Sequence, residues 1–151
     1  MLTKRYKWIV GTIIGIIMFM VIVVSMINPL RHSMGYMEFQ RILVEDILDN
    51  CQLSLRGLLS IEFDEQRFSI WERYYLLGRQ YFPGRPRVIS GRNEFFSERY
   101  VLANSQKSLP LIISGINNRV CLITVEPPLK DTTLDQKCLE IVEQRFKNMV
   151  K

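Results

Sequence analysis

A chain of 151 residues that is 48% apolar and 23% charged has the makings of a packed protein, and its length suits one domain with one core rather than two. Three of the twenty basic residues fall within the first seven positions and the remaining seventeen face fifteen acidic ones, so the formal charge of +5 gives no warrant for a nucleic-acid partner. One histidine, His32, and three cysteines without C-x-x-C spacing argue against a zinc site, and a Ser or Cys triad would have only His32 as its base.

Residues 8–27, WIVGTIIGIIMFMVIVVSMI, contain neither charge nor proline. As a helix rising about 1.5 Å per residue they extend about 30 Å, the apolar thickness of a bilayer. A signal peptide also begins with a basic flank such as Lys4, Arg5 and Lys7. Its apolar region, however, is about 7 to 15 residues long and closes at a small-x-small site, whereas this run continues through Ser25, Met26, Ile27, Asn28 and Pro29. The reading is an uncleaved single-pass anchor in the lipid bilayer. By the positive-inside bias residues 1–7 stay in the cytoplasm and the rest is exported. Gly11 and Gly15 form a G-x-x-x-G, the spacing that lets two membrane helices approach closely, although glycine is also simply frequent in such helices.

Asn28 and Pro29 stop the span, and residues 28–35 read as a short linker, flexible at Ser33, Met34 and Gly35. The exported domain is then residues 36–151. From Tyr36 to about Leu59, Val44, Ile47, Leu48, Cys51, Leu55, Leu58 and Leu59 recur at three- and four-residue spacing and predict one long amphipathic helix. Between Ile61 and Gly84 strand and helix periods compete, and the assignment is strand. Phe82–Pro86, FPGRP, and the stretch to Asn93 read as a loop. Arg79, Arg85, Arg87, Arg92 and Arg99 make this the densest basic region, suited to a solvated loop or to lipid headgroups or an acidic partner.

Residues 94–103 read as an aromatic-rich strand, and residues 109–116 and 120–126 as a β-hairpin turning at Asn117 and Asn118, because Asn tolerates the positive φ of tight turns. Pro127 and Pro128 end it. Thr133 with Gln136 supplies a capping box for a last helix lined by Leu134, Cys138, Ile141, Val142, Phe146 and Met149. Helix, three or four antiparallel strands and helix make an α+β domain with two helices on one sheet face.

In an oxidising compartment three cysteines give one disulfide and one thiol left over. Cys121 in the second hairpin strand and Cys138 in the first turns of the last helix lie one loop apart, and both should face the layer between helix and sheet. They are the expected bridge, with Cys51 a buried thiol; the alternative is that both are reduced core residues. Glycine-rich phosphate loops are absent from the sequence, and adjacent acids such as Glu45 with Asp46 or Asp64 with Glu65 read as solvated faces, so neither catalysis nor a cofactor is expected.

The order of parts, together with YMEFQRILVEDILD (residues 36–49), ISGINNRVCLITVE (residues 113–126) and LDQKCLEIVEQRFKN (residues 134–148), resembles the T4-type phage holins. The resemblance implies a protein that forms homo-oligomers in the host inner membrane and opens large holes at a set time to release an endolysin. It also implies an exported, periplasmic domain that receives an antiholin and carries a disulfide including a cysteine of the last helix, here Cys138. This chain is shorter than the family through the middle, where an antiholin surface would lie. A second expectation, from a different class, is a single-pass docking subunit of a bacterial envelope complex.

Overall fold

The computed structural model describes residues 4–81 and 95–151. The FPGRP loop, and with it Arg85, Arg87 and Arg92, lies outside the described residues. Helix α1, Lys4–Ile27, is continuous and is followed by a 3-10 turn, Pro29–His32, in which the Asn28 side chain accepts from the Leu30 amide at 2.9 Å. Residues 33–35 are not a free joint. Strand β1, Met34–Gly35, pairs with a later strand, and the Arg119 guanidinium donates to both Ser33 Oγ and Ser33 O at 2.7 Å.

Helix α2 covers residues 36–51. After Tyr36, its buried residues Phe39, Leu43, Ile47 and Cys51 recur strictly every four positions. In an α-helix each such step overshoots a full turn by about 40°, so Cys51 would swing about 120° away from Phe39. Leu43–Leu48 is π-helical, and its wider turn offsets that drift and holds all four side chains on the sheet.

The helix ends eight residues earlier than the spacing predicts. Gln52 adopts φ 54°, a left-handed cap, and Ser54–Ile61 becomes strand β2. Leu55, Leu58 and Leu59 therefore continue the three-and-four spacing by accident of an edge strand with apolar residues on both faces. Strands β3 (Phe95–Ala103), β4 (Lys107–Ile116) and β5 (Arg119–Val125) follow as expected, with Asn117 at φ 52° in the β4–β5 turn. The sheet order is β1-β5-β4-β3-β2, all antiparallel, and β6 (Thr133–Leu134) adds to β4 in parallel. Thr133 is thus a sheet residue. The N-cap of the last helix, α4 (Gln136–Arg145), is Asp135, whose carboxylate accepts from the Cys138 amide at 3.1 Å.

The segment assigned as strand between Ile61 and Gly84 contains helix α3, Ile70–Tyr81. A capping box starts it: Ser69 N donates to Glu72 Oε2 at 2.8 Å and Glu72 N donates to Ser69 Oγ at 3.3 Å. The expected two helices, α2 and α4, cover one sheet face, and α3 is a third on the other. On the α2 side Phe39 sits between the rings of Tyr100 and Phe146, at 5.7 and 5.5 Å. On the α3 side Phe68 and Leu76 pack against Ile116, Cys121 and Leu122.

A β-bulge decides which residues reach which face. Ser114 pairs with Leu122 and Gly115 with Val120, so Cys121 is the extra residue. Val120 and Ile123 turn toward α2, while Cys121 and Leu122 turn toward α3. A Cβ on Gly115 would overlap the Arg119 carbonyl and lie 2.9 Å from Phe96 Cε1. Gly115→Ala should therefore cost about 3 kcal/mol, at the upper end for overpacking because backbone is the obstacle, read as a lower denaturation midpoint with an unchanged slope.

Candidate functional site

Among the described residues, three surfaces outside the core stand out as candidates for function. The first is α1, whose span Tyr6–Ile27 is long and apolar enough to cross a membrane and whose apolar window is unburied by the rest of the chain. Gly11 and Gly15 are brought to one side of this helix, and a Cβ at either would meet nothing within 4 Å. The Gly11 position leaves a depression bordered by Lys7, Trp8 and Thr12, and Thr12 Oγ1 is turned back onto Trp8 O at 3.0 Å. A notch with its only local hydroxyl already satisfied suits close van der Waals contact with another helix backbone.

The second surface is the β2 edge. At the opposite end of the sheet β5 is covered, by β1 and by the C-terminal residues, where Ile123 N donates to Met149 O at 2.7 Å and Lys151 N to Ile123 O at 3.0 Å. Among the described residues β2 has no strand on its outer side. It exposes Leu55, Leu58 and Leu59 at 46%, 45% and 57%. Unpaired backbone flanked by apolar side chains is a template for a further strand. The third surface is the outer face of α3, with Ile70, Trp71 and Tyr74 exposed.

Two internal features make the domain rigid enough to present these surfaces. The root of α2 is tied to β3 by a polar cluster in which Tyr36 Oη lies 2.6 Å from Glu98 Oε2 and 2.8 Å from Tyr100 Oη, and receives Gln40 Nε2 at 3.0 Å. Burial, then the hydrogen bond with Tyr36, pushes the Tyr100 hydroxyl far above its ordinary range, so it stays protonated and donates to Glu98 at 3.1 Å. Such a phenol is a poor base; it serves as a strut.

The second feature is the disulfide, which corrects the expected pairing. Cys138 bonds to Cys51, with Cα atoms 5.8 Å apart at a sequence separation of 87, and Cys121 is a free buried thiol. The bulge explains the change: it turns Cys121 to the α3 face, while the end of α2 brings Cys51 beside the first turn of α4. An Arg145 to Asp46 ion pair at 3.2 Å bridges the same two helices. Burial pushes the Cys121 thiol up to about 12, against the lowering effects of the Ile116 backbone and Arg119.

Glu72 differs in sign. Burial opposes its charge, but hydrogen bonds from Lys151 Nζ, at 2.9 Å, and Ser69 outweigh this and lower its value, fastening the C-terminus onto α3. Among the described residues no three His, Cys, Asp or Glu side chains gather in a way that could hold a metal ion. Together these features define the class: a disulfide-linked α+β domain joined to an apolar N-terminal helix of membrane-spanning length. No protein-family model, curated protein or solved structure matches the chain.

Proposed function

We propose that the protein is a holin: it accumulates as a single-pass protein in a bacterial inner membrane and, at a set time, assembles into large holes through which an endolysin escapes. The observation that carries the reading is α1, an exposed apolar helix whose Gly11 and Gly15 leave open space for a second helix. The β2 edge supplies a way for exported domains to associate once the helices have gathered. The N-terminus is cytoplasmic and the domain periplasmic in this reading, where an antiholin would meet it. The β2 leucines also suit a second reading, an anchored docking subunit of an envelope complex.

Induced expression separates the two. Without endolysin, growth should continue until an abrupt loss of membrane potential, and co-expressed endolysin should turn that moment into lysis. Gly11→Leu with Gly15→Leu should shift the time of the event, because bulky side chains hold helix backbones further apart. Membranes that stay intact, with endolysin retained through any length of induction, would favour the docking subunit.

A further inference from the structure

Between Tyr6 and Met26 only Val23 is partly covered by the rest of the chain, and Ile27, one turn on, is the next such residue. Helix α3 is in contact with α1 and also with the turn Pro29–His32 that follows it. Val23 lies four residues, about 6 Å, before the end of α1. An element leaning on this part of a spanning helix lies where hydrocarbon gives way to headgroups.

At that depth α3 divides its surface in two. Leu76 is buried with Phe68, Ile116 and Leu122, while Ile70, Trp71 and Tyr74 point outward at 54%, 62% and 64% exposure. Positions 70, 71 and 74 share one helical face. Tryptophan and tyrosine are the side chains favoured at headgroup level, because the ring body is apolar while the N–H or O–H stays hydrated. The capping box at Ser69 and the Lys151 to Glu72 ion pair hold the helix in this orientation.

We propose that α3 is an interfacial helix, its Ile70, Trp71 and Tyr74 face seated among the phospholipid headgroups of the leaflet from which α1 emerges. The proposal rests on the reading of α1 as a membrane span. It makes the domain lie down on the bilayer rather than stand off from it, so the β2 edges of neighbouring copies would be confined to one plane.

The chain has two tryptophans, Trp8 and Trp71, one for each part of the question. Full-length Trp8→Phe protein in vesicles of phosphatidylethanolamine and phosphatidylglycerol leaves Trp71 as the reporter, and Trp71→Phe leaves Trp8. Trp71 emission should shift to shorter wavelength and lose intensity several-fold with lipids brominated near the headgroup, more than with lipids brominated near the chain end. If Trp8 is quenched by brominated lipid while Trp71 stays open to aqueous iodide, the span stands and the α3 proposal falls. Trp71 shielded from iodide but untouched by brominated lipid would mean that protein covers it, and overturns the proposal in favour of contact between copies. If neither tryptophan is quenched by lipid, the span reading fails and takes the proposal with it.

Discussion

Cys138→Ser should lower the stability of the domain by roughly 4 kcal/mol, the largest loss expected from a single polar substitution in this chain. The bridge from Cys51 closes a loop of 87 positions. On the chain-entropy account a loop of that size restrains the unfolded state by about 4 to 5 kcal/mol, and typical native bridges contribute about 2 to 5. A domain of this size has about 5 to 15 kcal/mol in total, so the loss should be visible as a large fall in the denaturation midpoint, reproduced in the parent protein by reductant. Cys51→Ser should match it. Cys121→Ala should cost only about 1 kcal/mol, the transfer term of one small apolar group, and leave the bridge intact. Non-reduced peptide mapping should recover Cys51 linked to Cys138, with the Cys121 thiol unalkylated until the protein unfolds; a Cys121 to Cys138 peptide would contradict the fold itself.

Phe39→Ala should destabilise by about 3 to 5 kcal/mol. Phe39 is 0% exposed and lies between Tyr100 on β3 and Phe146 at the end of α4, so its removal opens a cavity shared by all three parts of the layer. The cluster of Tyr36, Gln40, Tyr100 and Glu98 begins one turn away, and it resists the collapse that would shrink the hole. Phe39→Leu fills most of the volume and should cost appreciably less, so urea midpoints in the order parent, Leu, Ala check the assignment. Equal midpoints for Ala and parent would place Phe39 outside the core.

The parts of this fold legible in the sequence are those where local chemistry and tertiary position agree. Residues 109–126 are rich in β-branched side chains, turn at Asn117 and Asn118, and form the hairpin that their composition predicts. The apolar positions Cys138, Val142, Phe146 and Met149 are buried along α4 and the turn after it. The apolar helix Tyr6–Ile27 is legible because residues 8–27 carry neither charge nor proline.

The errors have separate physical causes. The end of α2 is hidden because Gln52, not glycine, takes the left-handed cap, and because Leu55, Leu58 and Leu59 carry no alternation on an uncovered edge. Helix α3 does announce itself through Ser69 and Glu72 at capping-box spacing. That signal was masked by Ile70, Trp71 and Tyr74, whose outward face breaks the rule that bulky apolar residues mark the core. The disulfide partner of Cys138 was illegible for a third reason: a one-residue bulge reverses the alternation from which the facing of Cys121 is read. The candidate surfaces divide in the same way. Gly11 and Gly15 are visible as a spacing, whereas the β2 edge and the α3 face exist only once the sheet order is known.

The holin reading depends on the domain being exported, and a reporter fused after Lys151 tests that most directly. A reporter active only in the periplasm should be active in this fusion, and one active only in the cytoplasm should be silent. The reverse pair of results would place the domain in the cytoplasm and contradict the anchor orientation, the setting for the disulfide and the holin reading together.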